Sequence, residues 1–142
     1  MKSLFAILII TAFHFSVLVQ AKARYKISSE YCKDNKCSVR VYVAPKDYDE
    51  ANMKMLAKEL AAKYKDKELV NLRVFDDEEI IEAYIKGIRE PINIFSDSRA
   101  YFIHKANCGD MLFYKSKKDK VKLVKISWKK EEEKCNKPFR IF

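Results

Sequence analysis

The stretch "FIHKANCGDMLFY", residues 102–114, sets His104 and Cys108 close together beside Gly109, one of two glycines in the chain. A histidine and a cysteine are the side chains from which a thiolate–imidazole nucleophile is made, and they are also zinc ligands. Cys32 and Cys37 of "CKDNKC" extend them to a candidate S3N set. The chemistry stops there on spacing, because the gap inside "CKDNKC" lies at the edge of the range used by zinc pairs. A nucleophilic cysteine needs a depressed pKa and an open approach, and neither is written into these residues. His104 and Cys108 therefore stand as candidates only. The sequence calls for no catalytic residue, no resident metal and no cofactor, and an ordinary β-hairpin is the expected use of the segment.

Other reaction classes are absent by motif. There is no G-x-S-x-G elbow, C-x-x-C pair, H-E-x-x-H helix, P-loop or G-x-G-x-x-G turn. His14 lies in an N-terminal apolar run, so a mechanism using two histidines is lost if that run is removed. The enzyme reading left is a secreted hydrolase, nuclease-like, with His104 and a carboxylate acting on an anionic substrate. Against it, the acids cluster as "DDEE" and "KEEEK", which suit a helix start and a solvated tail, Glu131 to Glu133.

The segment "MKSLFAILIITAFHFSVLVQA" has the basic start, apolar centre and small residues, Val19 and Ala21, of a secretory signal. Cleavage after Ala21 is expected, with release to a secreted or periplasmic location and no integral membrane segment after processing. Removing residues 1–21 takes Lys2 and no acid, so 29 − 1 = 28 basic residues face 20 acids, a net charge of +8. The remaining 142 − 21 = 121 residues suit one domain with one core. We expect residues 22–37 to form an N-terminal extension with a cysteine loop, and 38–142 to form the domain with a C-terminal tail.

Four cysteines, Cys32, Cys37, Cys108 and Cys135, in an exported chain favour disulfides. Cys32 with Cys37 and Cys108 with Cys135 is the preferred pairing, since the first closes a local loop and the second tethers the tail to the hairpin. Crossed pairing fits almost as well. On the chain-entropy model the two bridges stabilise by roughly 2 and 3.5 kcal/mol.

The elements that must position these groups follow from periodicity. "SVRVYVA" alternates Val39, Val41 and Val43 against Arg40 and Tyr42, a half-buried strand. "DYDEANMKMLAKELAAKYK" reads as a helix capped by Asp47 with Glu50 three residues on, burying Met53, Leu56, Ala57, Leu60, Ala61 and Tyr64. "ELVNLRVF" is a second strand, and "DDEEIIEAYIKGI" a second helix capped by Asp76 or Asp77, facing Ile81, Tyr84, Ile85 and Ile88 inward and stopped by Gly87 and Pro91. "REPINIFSDSR" reads equally as loop or short strand. "RAYFIHK", "MLFYK" and "VKLVKISW" are strands joined by hairpins, with the turn at Asn107 to Asp110. The predicted class is α+β: a two-layer sandwich of mixed sheet, ordered βαβα and then three antiparallel strands, with both helices on one face.

Within that frame the basic residues cluster. Lys115, Lys117, Lys118, Lys120, Lys122, Lys125, Lys129 and Lys130 crowd the stretch from Lys115 to Lys130, with Tyr114 and Trp128 near its ends. They are the candidate anion-binding set, for an anionic polymer, a lipid headgroup or an acidic protein. Solvated edge protection explains the same lysines. A protein partner held through a sheet edge, or through the apolar tail "PFRIF", is a further expectation. The leading role is therefore a non-catalytic binding or interaction domain.

Overall fold

The computed structural model describes residues 21–88, 97–116, 118, 120–129 and 135. Several expectations fall outside them: the N-terminal signal, "REPINIF", Lys117, Lys130, Glu131 to Glu133 and the tail "PFRIF". The described residues form an α+β fold of one six-stranded mixed sheet and two helices. The strands are β1 (Lys26–Lys33), β2 (Lys36–Tyr42), β3 (Leu69–Phe75), β4 (Ala100–Lys105), β5 (Gly109–Lys115) and β6 (Val121–Lys125), and they lie side by side in chain order. Helix α1 (Glu50–Lys63) connects β2 to its parallel neighbour β3, and α2 (Glu78–Ile85) follows β3. Every other strand pairing is antiparallel.

The period-two pattern of β2 and β3 divides the sheet into two faces. Val39 and Val41 on β2, Val70, Leu72 and Val74 on β3, Phe102 on β4 and Leu112 on β5 form one apolar surface. Helix α1 covers it with Met53, Leu56, Ala57 and Leu60, all fully buried. Tyr64, the helix's C-cap, is buried beside them.

Helix α2 lies on the opposite face, which corrects the two-layer expectation. Its Ile81 and Tyr84 pack on Phe75 and Tyr42, residues of the other parity on β3 and β2. The Phe75 and Tyr84 rings are 5.6 Å apart. Periodicity gives each helix an apolar stripe but does not choose which side of the sheet will receive it.

Residues 22–37 are not an appendage. Lys26–Lys33 is an edge strand paired with β2, and Asp34 and Asn35, both at positive φ, make the tight turn between them. That two-residue hairpin with two left-handed residues is the form whose twist suits adjoining strands. The strand escaped notice because its residues are polar and half-exposed, and a register shift between Ile27 and Ser29 breaks its alternation.

Local ends also moved. Asp49, not Asp47, caps α1, accepting a hydrogen bond from Asn52 N–H at 2.8 Å. Asp47 sits in a preceding 3-10 turn and pairs with Arg24 at 3.1 Å. Asp77 caps α2. Gly87, at φ +69°, ends that helix, with Gly87 N–H donating to Tyr84 O and Ile88 N–H to Ala83 O. This is the reciprocal pair of a Schellman stop. The chain turns away there, so Ile85 and Ile88 are 54% and 76% exposed rather than inward. The last strand is shorter than "VKLVKISW", ending at Lys125.

The two aspartates, Asp49 and Asp47, can be ranked by substitution. Asp49→Ala should cost about 1 kcal/mol through loss of the Asn52 N–H acceptor. Asp47→Ala should cost less, because its Arg24 partner is largely exposed. Urea unfolding of the two variants checks the order.

Candidate functional site

His104 projects from β4 onto the α1 face, where Asp110 is its direct partner on β5. The imidazole is 5% exposed and both of its nitrogens are occupied. Nδ1 lies 2.8 Å from Asp110 Oδ1, and Nε2 lies 2.9 Å from the Lys67 carbonyl oxygen. A carbonyl only accepts, so Nε2 carries a proton and donates it. Both nitrogens are thus engaged within the fold and neither is open to a substrate, as a general base must be. The ring acts as a clamp, holding the loop after α1 to the β4–β5 hairpin, which Ala106 N–H reinforces by donating to Glu68 O at 2.8 Å.

Cys108 offers no thiolate, being bonded to Cys135, while Cys32 is bonded to Cys37. The preferred pairing is the one found, and no free cysteine stands among the described residues. Cys32 and Cys37 are direct cross-strand partners in the β1–β2 hairpin. The Glu30 carboxylate and these two sulfurs lie within 4.8 Å of one another. As a disulfide, however, the sulfurs lack the negative charge by which cysteine holds zinc. The S3N set is not assembled.

The turn between β4 and β5 comprises Ala106, Asn107 and Cys108, with left-handed backbone at Asn107 (φ 68°) and positive φ at Gly109 (103°). Gly109 is already the first residue of β5, so the turn is tighter than the Asn107–Asp110 expectation. Its missing side chain also makes room: a Cβ there would collide with the Ser127 carbonyl. Ser127 Oγ–H reaches Asp110 Oδ2 at 3.5 Å, and Lys129 N–H donates to Cys108 O at 2.8 Å. The segment after β6 is thus laced to the turn, and Cys135 adds a covalent tie.

The lysines do not share a face. Lys122 is on the α1 side of β6 and pairs with Glu50 at 2.7 Å, while Lys125 points to the other side. Glu50 also binds Lys54 at 2.8 Å, and hydrogen bonds from the two ammonium groups hold its carboxyl down at about 2. Lys118 and Lys120 are exposed in the β5–β6 connection, and Lys129 is exposed after β6. Lys115 is half-buried at the end of β5. Among the described residues, Lys118, Lys120 and Lys125 have no carboxylate partner.

Sequence reading passed over two arginines. Arg40 on β2 and Arg73 on β3 are direct partners in the parallel ladder, on the face away from α1, and both are half-buried. Arg40 Nη1–H donates to Ser29 Oγ at 3.3 Å, and its guanidinium lies 5.8 Å from the Tyr84 ring centre. Beside them Tyr101 is buried, donates to Asn71 Oδ1 at 2.7 Å, and has its phenol pushed up to about 12 by burial. The signal was available in "SVRVYV" and "NLRVF", where each arginine stands between core residues; the pairing of those two strands was not.

Two measurements test this geometry. Gly109→Ala should destabilise by roughly 2–4 kcal/mol, through the Ser127 collision and the unfavourable φ, as read by chemical denaturation. In Lys122→Gln the Glu50 carboxyl should titrate above its wild-type position, yet below the ordinary 4.5 because Lys54 stays in place. Its native pKa is depressed, so its contribution to stability is present above the unfolded value and is lost as pH falls through the folded one. Carboxyl NMR titration reads that shift directly.

Comparison of the chain with protein-family models, with curated proteins and with solved structures gave no match.

Proposed function

We propose that this chain is an exported, non-catalytic binding domain for an anionic partner. The observation that carries the reading is the exposed trio Lys118, Lys120 and Lys125, positive charge left without carboxylate partners among the described residues at the β6 end of the sheet. Of the other surface lysines, Lys26, Lys36, Lys54 and Lys86 are matched with Glu78, Glu68, Glu50 and Glu82, whereas Lys22, Lys33, Lys46, Lys58 and Lys65 are exposed without a described carboxylate partner, so the positive field extends beyond the trio. A residual positive field of this kind raises the local concentration of anions and speeds their encounter. The engagement of both His104 nitrogens and the oxidation of Cys108 favour binding over the hydrolase alternative. Two disulfides accord with an oxidising compartment. Among the described residues no helix is long and apolar enough to cross a membrane.

A protein partner at the sheet edge is the second reading. It is favoured by Val121 and Leu123, which are 55% and 43% exposed on edge strand β6. An exposed apolar edge of this sort invites pairing with another chain.

Heparin is the probe that separates the readings. The protein should be retained more strongly than a control of equal net charge, and retention should fall steeply with salt. Replacing Lys118, Lys120 and Lys125 together by Gln should weaken heparin binding roughly tenfold. Elution with the control would sink the anionic reading, while salt-insensitive capture that is lost in Leu123→Glu would favour the edge.

A further inference from the structure

We propose that Arg40 and Arg73 form a binding site for one doubly charged tetrahedral oxyanion, the phosphate group of a monoester, on the sheet face opposite α1. The proposal deepens the anionic-partner reading, but it rests on neither the lysines nor the β6 edge.

The placement of the two arginines carries an unexplained cost. Neighbouring strands lie about 4.8 Å apart, so direct partners on one face bring their side chains into contact range. Like charges placed so are destabilising, and partial burial removes the water that would screen them. Burial first, and the Arg73 charge second, push the Arg40 guanidinium pKa down; the other charged contact acting on it is with Tyr84. A guanidinium does not give up its proton to relieve such strain. The Tyr84 ring offsets part of this cost, and an anion held by both groups would offset the rest.

Among the described residues the fold supplies a carboxylate to half-buried Arg99, and to the more exposed Arg24, but not to these. Arg99, 28% exposed, pairs with Asp76, and Arg24 pairs with Asp47. Among the described residues neither Arg40 nor Arg73 has an acid. Of the ten N–H donors on the two guanidinium groups, one goes to a described partner, Ser29.

What remains is the spare donor capacity of two guanidinium groups carried on one face by direct strand partners, the type of group suited to bidentate capture of phosphate oxygens. Charge chooses among the oxyanions. A phosphate monoester carries about −1.5 to −2 at neutral pH, which balances two guanidinium charges where a carboxylate balances one. The neighbouring phenols are already committed, Tyr101 to Asn71 and Tyr84 to Asp97 at 2.5 Å, so they hold the walls and leave ligand binding to the arginines.

The test is phosphate binding by the full oxidised chain, read by side-chain Nε–H NMR and by thermal melting. Inorganic phosphate should shift the Arg40 and Arg73 resonances saturably and raise the wild-type melting temperature. Arg40→Gln/Arg73→Gln should melt at or above the wild-type temperature without phosphate, since a repulsion is gone, and should lose at least about tenfold in phosphate affinity. Should the double variant fold poorly, Arg73→Lys keeps the charge and removes one fork, and the same loss is expected. Vesicles of phosphatidylcholine with one-fifth phosphatidate form a second arm. Arginine-dependent sedimentation with them would support the site with a lipid as the source of the phosphate, and binding of inorganic phosphate alone would support it with a soluble source.

Unshifted Nε–H resonances at saturating phosphate, or unchanged affinity in both variants, would overturn the site. If heparin retention survives that result, the anionic-partner reading stands and only this site falls. Loss of both would remove both.

Discussion

The structure rests on the in-register parallel pairing of β2 with β3, which makes two alternating sequences agree about which side is core. Val39 meets Leu72 and Val41 meets Val74, so the apolar row that α1 covers is continuous across the middle of the sheet. A slip of one residue in either strand would turn its valines to the opposite face, and no local contact could repair that. The same registration leaves Arg40 against Arg73. The core and the arginine pair are therefore two consequences of one alignment, and neither can shift without the other.

Around that centre the remaining elements extend the pattern. Strands β4 and β5 carry it onward through Phe102 and Leu112, and at the far end of the same face the apolar row gives way to His104 and Asp110. A buried polar pair is tolerable when its hydrogen bonds are satisfied. Here Lys67 O completes the set and fixes a loop as well. The Cys108–Cys135 bond, closing 27 residues of sequence, holds the far side of this corner together. The corner resembles an active site in composition and is built as a joint.

Much of the fold was legible in the residues. The valines of β2 and β3, the stripe of α1 and the stop at Gly87 follow from periodicity and glycine's tolerance of positive φ, all short-range matters. The cysteine pairing, in contrast, was only preferred over a crossed one and needed the fold to decide it. The edge strand β1 was not legible: its partners lie along one side only, and its polar residues carry no hydrophobic rhythm. The side of the sheet chosen by α2 was hidden for a different reason. It depends on Phe75 and Tyr42, whose parity acquires meaning only once the sheet exists.

The candidate sites divide in the same way. The lysine cluster was visible in the chain as composition, but strand geometry separated Lys122 from Lys125 and Glu50 neutralised the former. His104 and Cys108 were conspicuous as types, and their partners, Asp110, Lys67 and Cys135, made them structural. Sequence by itself determined the class of the fold and the residues with chemical potential, because local pattern and side-chain type suffice for both. Tertiary structure alone decided which were neutralised, which were locked, and which were set side by side, because those outcomes depend on contacts between distant segments; Arg40 and Arg73 stand 33 positions apart in the chain and directly opposite each other in the sheet.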